Sequence, residues 1–176
     1  MDFFEAVTTR QSIRAFSPAA VEDNKLRQIL EAANMSPSAG NLQAYEIYVV
    51  AHPLRRAELA RAALQQGFVA SAPIVFVFCA HPARCEAKYK ERGTRLYALQ
   101  DATIACSFAM LAATALGLAT VWVGAFDENA VRKVIGASEE TVPIAMLPIG
   151  YGAEQPATTT RRSLGQLVHW EEDWTR

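Results

Sequence analysis

Three polar side chains near the amino terminus are the strongest candidates for chemistry in this chain. Arg10, Ser12 and Arg14 alternate in a short segment that ends at Ser17 and Pro18. In an extended segment alternate side chains share one side, so two guanidinium groups and a hydroxyl would converge. Such a set suits a phosphate, which Arg binds through paired N–H donors. A surface loop with salt bridges accounts for the same spacing, and spacing alone leaves both interpretations open.

Other catalytic signatures are absent from the sequence. There is no Gly-x-Gly-x-x-Gly, no Walker loop, no Ser/His/Asp signature and no His-Glu-x-x-His. Two of the three histidines precede proline and the third lies near the carboxyl end, which makes them poor acid–base candidates. Cys79, His81 and Cys85 lie close in sequence, but no fourth ligand adjoins them, so packing at a strand end is favoured over a metal site. We therefore expect no metal.

Composition bounds the class of protein. A chain of 176 residues with 51% hydrophobic and 20% charged side chains is predicted to form one globular domain, residues 1–176. Its net charge of −1 gives no electrostatic reason to expect nucleic acid or a membrane surface as partner. The first residues lack the basic start and apolar core of a signal peptide. Three cysteines without a Cys-x-x-Cys pair suit a reducing compartment, so we expect a cytoplasmic protein.

The central stretch between Asp101 and Asp127 contains no charged side chain. Before Gly117 it is rich in Ala, Leu, Met and Phe, which favours a helix, and the glycine suits a helix end. The β-branched and aromatic residues 118–123 then predict a buried strand. A membrane span is the alternative. The internal glycine, the strand-like second half and the lack of a second such segment favour a buried or dimer-interface helix.

The remaining pattern predicts a mixture of helices and strands. A first helix, capped by Asp2, would pack Phe3, Phe4 and Val7. Gly93 is expected to separate a solvated helix from the central one. Four strands among six or seven helices indicate an α+β or α/β protein. Helices are predicted near residues 2–8, 22–35, 53–66, 82–92, 96–116 and 127–135, and strands at 45–51, 74–80, 118–123 and 143–151.

The polar tail, residues 152–176, ends in several apolar side chains: Leu167, Val168, Trp170 and Trp174. Apolar side chains in a polar segment need a surface that covers them. An arm that reaches across a partner subunit would provide one.

Several segments, in order along nearly the whole chain, resemble the FMN-dependent nitroreductase family. They are Arg-Gln-Ser-Ile-Arg-Ala-Phe at residues 10–16, Ser-Pro-Ser-Ala-Gly-Asn-Leu-Gln at 36–43, Gln-Asp-Ala at 100–102, Gly-Leu at 117–118, Val-Gly at 123–124, Pro-Ile-Gly-Tyr at 148–151 and the basic tail. The resemblance implies an α+β nitroreductase-like fold. A central mixed or antiparallel sheet of four to five strands would be flanked by helices, with a long buried central helix.

The same resemblance implies a homodimer of the domain-swapped type, joined by extended C-terminal arms, with two FMN sites at the subunit interface. NADH or NADPH would reduce the flavin, which would then reduce small electrophiles such as quinones or nitroaromatics by ping-pong hydride transfer. No catalytic side chain is assigned, because the cofactor carries the redox chemistry and solvent can supply protons.

The resemblance also assigns cofactor contacts to residues of this chain. Phosphate and ribityl contacts would come from Arg10, Gln11, Ser12 and Arg14, and from Arg161 and Arg162 in the tail. A loop supplied by the partner subunit would contribute Pro37, Ser38, Ala39 and Asn41. Gln65 would face the polar edge of the flavin ring, and the Val123–Gly124 turn would bring a backbone N–H near flavin N5.

This sequence departs from the family pattern at several positions. Gln11 and Thr159 stand where basic residues are usual, and Ala44-Tyr45 replaces a common Pro-Trp. Few residues separate Pro82 from Gly93, which leaves little room for a substrate lid and implies an open, tolerant pocket. A flavin-binding sensor or carrier without turnover stays open, as do azoline oxidation and flavin degradation.

Overall fold

The computed structural model describes residues 1–157 and 159–171. Within this part of the chain, eight α-helices and four strands follow one another, with a 3₁₀ turn at Ala39–Asn41 and a π-helical turn at Gly93–Tyr97. The helices are α1 Phe3–Thr9, α2 Asp23–Asn34, α3 Pro53–Ala62, α4 Phe68–Ser71, α5 Ala83–Arg92, α6 Ala98–Ala115, α7 Glu128–Ile135 and α8 Leu164–Leu167. The strands are β1 Tyr45–Val50, β2 Ile74–Ala80, β3 Ala119–Thr120 and β4 Val142–Gly150.

The four strands form one antiparallel sheet in the order β1-β2-β4-β3. Of the two predicted classes, α+β is therefore the observed one, because every pairing among the described strands is antiparallel. β2 and β4 occupy the centre, and β2 is buried along its whole length. Its continuous apolar run suits a strand that is covered on both faces.

Alternate side chains of β2 belong to two separate cores. Phe76 and Phe78 pack with α2 and α6 on one face of the sheet. Val75 and Val77 pack with α3 and α7 on the other. The sheet thus lies between two layers of helices, and α6 is the long element of the first layer.

Three helix ends that the sequence predicted are capped as expected: the start of α1 and both ends of α7. Asp2 accepts a hydrogen bond from the Glu5 N–H at 2.9 Å, and Asp127 accepts one from the Ala130 N–H at 2.8 Å. Gly136 ends α7 with a φ of 68°. The expected packing of α1 was wrong for the single chain: Phe3 and Phe4 are 64% and 77% exposed, as is much of Val7, and Ala6 is the buried residue.

The predicted helix 53–66 was too long. α3 ends at Ala62 because Leu64 and Gln65 adopt left-handed φ angles of 56° and 63°. One tertiary and one local partner take the carbonyl groups at this helix end: the Asp127 N–H donates to Ala62 O at 2.9 Å, and Gln66 Nε2, three residues on, donates to Ala63 O at 2.8 Å. The chain therefore turns at Gln65 and resumes as α4.

The predicted break at Gly93 was also wrong. The helical backbone is interrupted at Lys90, which has a φ of 51° and a ψ of −141°, so the break lies three residues before Gly93; from Gly93 the π-helical turn leads directly into α6. Gly93 is buried at this joint, where a Cβ would lie 2.7 Å from both Cys85 O and Tyr89 Cβ. Glycine is needed here for close packing, not to end a helix.

The central helix is buried on one face only. Ala102, Ala105 and Ala109 are fully buried, whereas Leu99 and Phe108 are exposed. By length and composition the helical run of residues 83–115 could cross a membrane, because an 18-residue window within it has a mean hydropathy of 1.3. The core helix of a soluble protein has the same composition, and α6 packs against α2 and the sheet as a core helix does.

The predicted strand 118–123 is reduced to β3. Thr120 pairs with Ile149, and in the same register Val123 forms an isolated bridge with Met146. Between them the register places Val121 opposite Pro148, which has no N–H to donate, so the ladder is interrupted.

The described part of the tail contacts the amino-terminal segment at its start, where the Ala153 N–H donates to Ala15 O, and its apolar side chains further along are exposed. Beyond Gly152 it contains α8, and Leu164, Leu167 and Trp170 are all strongly exposed. Trp174, the other apolar residue of the predicted arm, lies outside the described residues.

Candidate functional site

A cavity of about 430 Å³ gathers the polar residues that the sequence singled out at both ends of the chain. From the amino-terminal segment Arg10, Gln11, Ser12 and Arg14 line it, and from the tail Arg161 lines it. Pro156, Ala157 and Thr159 complete the wall. The structure therefore brings together five of the predicted phosphate-contacting residues, although some 150 positions separate their two segments.

The cavity has a marked positive character. None of the guanidinium groups of Arg10, Arg14 and Arg161 forms an ion pair with another described residue. Three uncompensated cations around one small space favour an anion with several acceptor oxygens. This result favours the phosphate interpretation of the Arg10–Arg14 spacing over a surface loop held by salt bridges.

Backbone pairing with the sheet edge extends the basic segment and fixes its direction. Ser12 forms a parallel bridge with Thr120 of β3, and the Ile13 N–H donates to Thr120 O at 3.0 Å. Phe16 forms an antiparallel bridge with Gly152. The segment is thus strand-like, as the argument from alternating side chains required.

Glu154 ties the same segment to the start of the tail. Its carboxylate accepts from the backbone N–H groups of Arg14 and Ala15, the second at 3.1 Å. The Ala153 N–H donates in turn to Ala15 O at 2.9 Å. These bonds bring the tail, which carries Arg161, alongside the segment that carries Arg10. Sequence reasoning missed Glu154, and no local pattern identifies a carboxylate whose partners lie 140 residues away.

The residues predicted to contact the flavin ring, Gln65 and the Val123–Gly124 turn, lie near the cavity. The Arg14 guanidinium lies 5.9 Å from the centre of the Phe68 ring, which follows the Gln65 turn. Gln66 Nε2 donates to Ala125 O at 3.0 Å and joins that turn to the one at Gly124. The Gln65 turn and the Val123–Gly124 turn are therefore neighbours.

The geometry at Gly124 leaves little space for a side chain. A Cβ there would lie 3.2 Å from Trp122 Nε1. Val123 is buried and held by its two hydrogen bonds with Met146, both 2.9 Å, whereas Gly124 and Gln65 are exposed. A ligand can therefore approach the backbone of the Gly124 turn.

The loop that holds Pro37, Ser38, Ala39 and Asn41 lies elsewhere, at the start of α6. Asp101, only 2% exposed, accepts from the Ala39 N–H at 2.9 Å and from the Ala44 N–H at 3.2 Å. Ser38 Oγ accepts from the Gln43 N–H at 3.0 Å. Asp101 thus acts as the buried support of this loop. The sequence drew attention to it only as part of the family-like segment 100–102.

This loop and the basic cavity are far apart within one chain. Asp101 supports the loop near one end of α6, and Thr114 near the other end lines a second cavity that shares Arg10 and Gln11 with the first. Thirteen helical residues separate them, or about 20 Å along the axis. Arg162 is also apart from the cavity wall, because its guanidinium donates to Gln166 O in α8.

Buried thiols do not supply a nucleophile. Burial, with the Glu46 carboxylate nearby, raises the pKa of Cys79 to about 12. Burial likewise raises the pKa of Cys85 and Cys106. All three are free thiols, and no group of His, Cys, Asp and Glu suited to a metal ion occurs among residues 1–157 and 159–171.

Comparison with known proteins places these features in context. A protein-family model described as the nitroreductase family matches residues 7–69 and 53–151. A Thermus thermophilus protein named NADH dehydrogenase is 30% identical to this chain, and the alignment covers 97% of this chain and 96% of the Thermus protein. A Methanothermobacter thermautotrophicus protein named putative NADH dehydrogenase/NAD(P)H nitroreductase is 29% identical, covering 90% and 81%. The solved NADPH:FMN oxidoreductase of Vibrio harveyi, complexed with NAD⁺, superposes with a TM-score of 0.87 at 25% identity, covering 99% of this chain and 78% of that one.

Proposed function

Because this chain belongs to the nitroreductase family and is an NAD(P)H-dependent flavin oxidoreductase, we propose that its flavin is FMN and that it reduces small electrophiles such as nitroaromatics or quinones. One observation carries the choice of FMN. Arg10, Arg14 and Arg161 surround one cavity, and none of them is ion-paired to a described residue. Such a site suits a terminal monophosphate.

The donor set fits this cofactor. Arg10, Arg14 and Arg161 would bind the phosphate, with Gln11, Ser12 and Thr159 as neutral neighbours. Gln65 would face the polar edge of the ring, and the exposed Gly124 backbone would approach its reactive face. The bound flavin would supply hydride chemistry, taking hydride from NADH or NADPH and passing it to the acceptor in ping-pong order. The protein's own part is to bind, to orient and to limit the access of water.

A homodimer is part of the proposal, because one chain cannot easily bring both groups of residues to one flavin. The Asp101-supported loop lies about 20 Å along α6 from the end that borders the basic cavity. Pro37, Ser38, Ala39 and Asn41 would therefore serve the flavin site of a partner subunit. The exposed side chains of Phe3, Phe4, Leu99 and Phe108 supply an apolar surface for that partner.

The C-terminal arm is the second connection that we propose between subunits. Leu164, Leu167 and Trp170 are strongly exposed in the tail of one chain. Contact with a partner would remove their apolar surface from water. The whole chain is then a single domain, residues 1–176, whose arm begins after Gly152, and we propose a cytoplasmic location without nucleic acid or membrane as partner.

The first test is chemical. The purified protein should be yellow and should release FMN, not FAD, on denaturation. The FMN-loaded protein should consume NADH or NADPH faster when a quinone or nitroaromatic is added. Recovery of FAD, or a colourless protein that ignores added FMN, contradicts the cofactor assignment. A reduced flavin whose oxidation rate does not depend on added acceptor indicates a sensor or carrier instead.

A further inference from the structure

The segment Ala83–Tyr97, made of α5 and the π-helical turn, is a second basic region of the chain, apart from the basic cavity. It contains five cationic and two anionic side chains, whereas the whole chain has a net charge of −1. One of the two acids, Glu91, is already paired with Arg95 at 2.8 Å. The other four cations of the segment form no ion pair with a described residue.

Two of these cations, Arg84 and Lys88, form what we call the α5 basic pair. They are four residues apart, so they lie on the same face of α5. Both contact the loop that Asp101 supports: Arg84 Nε donates to Leu42 O at 3.3 Å, and a Cβ on Gly40 would lie 2.5 Å from Lys88 Nζ. Gly40 has a φ of 56°, so glycine suits this position both for its backbone and for the close approach of Lys88.

The α5 basic pair has no acidic partner. Neither Arg84 nor Lys88 forms an ion pair with a described residue, and Lys88 instead lies 5.3 Å from the centre of the Tyr89 ring. Only Leu42 O, among the described residues, accepts a hydrogen bond from the Arg84 guanidinium. Both side chains are exposed, so their remaining N–H donors are available to a ligand.

From this arrangement we propose that Arg84 and Lys88 bind phosphate oxygens of the nicotinamide dinucleotide. The inference rests on the proposed function, which places the Pro37–Asn41 loop, and therefore the helix attached to it, beside the flavin of the partner subunit. The phosphate of FMN would lie in the basic cavity, at the opposite end of the site. The free cations at the loop are then left for the other anionic participant, the dinucleotide that delivers hydride.

Two phosphate groups of the dinucleotide have the required chemistry. The pyrophosphate is common to NADH and NADPH, and the 2′-phosphate is present only in NADPH. Binding of the 2′-phosphate by the α5 basic pair would make the enzyme prefer NADPH. Binding of the pyrophosphate would raise the affinity for NADH and NADPH equally.

The test compares Lys88→Met with Lys133→Met in the full-length, FMN-loaded protein. Methionine keeps much of the side-chain length and removes the charge. Lys133 is an exposed lysine on α7, on the other face of the sheet, forms no ion pair with a described residue and provides the matched control. Equilibrium binding of NADP⁺ and NAD⁺ is measured by titration calorimetry, and KM and kcat are measured with NADPH and NADH.

Lys88→Met should weaken NADP⁺ binding about tenfold and raise the KM for NADPH by a similar factor, as expected for one exposed charge-assisted bond. Arg84→Met should act in the same direction, Lys88→Arg should restore most of the affinity, and Lys133→Met should change little. A loss confined to NADP⁺ assigns the 2′-phosphate, and an equal loss for NAD⁺ assigns the pyrophosphate. Unchanged affinity for both dinucleotides in Lys88→Met and Arg84→Met overturns the inference.

The binding readout separates this inference from the proposed function. If dinucleotide binding depends on Lys88 but the FMN-loaded protein shows no acceptor-dependent turnover, the binding inference stands and the oxidoreductase proposal fails. If turnover is normal and both Lys88→Met and Arg84→Met bind both dinucleotides as the unaltered protein does, the oxidoreductase proposal stands and the binding inference fails. Oxidation of chemically reduced protein by an uncharged quinone should be equally fast with and without Lys88.

Discussion

At the scale of single residues, the candidate site depends on charges that have no partner and on carboxylates that have several. Arg10, Arg14 and Arg161 surround a cavity and form no ion pair within the described part of the chain, which leaves their donors for a ligand. Glu154 and Asp101 instead bind backbone N–H groups and hold the segments that carry the candidate ligand contacts. The three arginines are therefore candidates for binding a ligand, and the two carboxylates hold the binding segments in place.

Replacement of Arg10 tests the phosphate role directly. Arg10→Ala should weaken FMN binding by about 1.5–3 kcal/mol, the worth of a hydrogen bond to a charged group. Binding of riboflavin, which lacks the phosphate, should change little, and unfolding by urea should stay close to that of the parent. Fluorescence titration with both flavins measures the difference. Arg61→Ala, at an exposed site on α3, serves as control, and an equal loss for FMN and riboflavin would place Arg10 away from the phosphate.

At the scale of elements, tertiary contacts decide where helices end and how they join. α3 stops at Ala62 although the helix-favouring composition continues, because the backbone turns left-handed at Leu64 and Gln65 and the distant Asp127 N–H binds Ala62 O. α5 continues into α6 across a glycine that is a helix breaker elsewhere. At Gly93 the close approach of Cys85 and Tyr89 outweighs the low helix propensity of glycine.

Two glycine substitutions with opposite expected signs test the joint between α5 and α6. Gly93→Ala places a methyl group 2.7 Å from Cys85 O and should lower the free energy of unfolding by about 1–3 kcal/mol, as overpacking does. Gly67→Ala meets open space at a helical backbone angle and should be neutral or stabilising by up to about 1 kcal/mol. Urea unfolding of both variants gives the comparison. Equal stability of the two would show that Gly93 is not closely packed.

A hydrogen-bonded group joins the start of α2 to the end of β4. The Tyr151 hydroxyl donates to the Glu22 carboxylate at 2.7 Å and accepts from Lys25 Nζ at 2.7 Å. The hydroxyl lowers the pKa of Glu22 from its ordinary value of 4.5. Because this pKa is lower in the folded than in the unfolded protein, the contribution to stability is present above pH 4.5 and is lost as pH falls through the lowered value.

Tyr151→Phe removes that hydroxyl and provides the test. Its melting temperature should lie below that of the parent at pH 7, and the two should approach each other as Glu22 becomes protonated below pH 4.5. Thermal melts followed by circular dichroism from pH 7 to pH 3 would show the trend. A difference that does not change over this range would mean that the ring's packing, not the bond to Glu22, is responsible.

At the scale of the whole molecule, one chain presents two incomplete halves of the proposed site. The basic cavity and the Gly124 turn form one half, and the Asp101-supported loop with the α5 basic pair forms the other, at the opposite end of α6. Exposed apolar side chains on α1, α6 and the tail indicate surfaces that a partner can cover. A symmetric dimer would then build each site from both chains.

Mixed dimers test whether each site is shared. Arg10→Ala and Asn41→Gly should each impair both sites of a homodimer, and glycine tolerates the φ of 59° at position 41. In a mixed dimer one site receives both changes and the other receives neither. Random mixing makes about half the dimers mixed, with one sound site in two, so about a quarter of full activity should return. The parents are first refolded alone, and activity no higher than their average would place Arg10 and Asn41 in a same-chain site.

The local features of this protein follow from its sequence alone. Apolar runs identify β2 and β4, the alternation of Arg10, Ser12 and Arg14 identifies an extended basic segment, and Asp2, Asp127 and Gly136 mark helix ends. These depend on interactions between residues a few positions apart, which local composition records. The order of short motifs also indicated the family, which the comparison with known proteins confirmed.

Only the tertiary structure decided how these pieces meet. It places Arg161 beside Arg10, joins the Gln65 turn to the Gly124 turn through Gln66, supports the loop of residues 37–41 on Asp101 and brings Lys88 close to Gly40. It also ended α3 early, carried helical structure across Gly93 and left one face of α6 exposed. Most of these outcomes depend on partners that are distant in the chain, whereas Gly93 packs against Cys85 and Tyr89 of the same helical run. Their contact energies exceed local propensity, and no pattern within a short stretch of sequence records them.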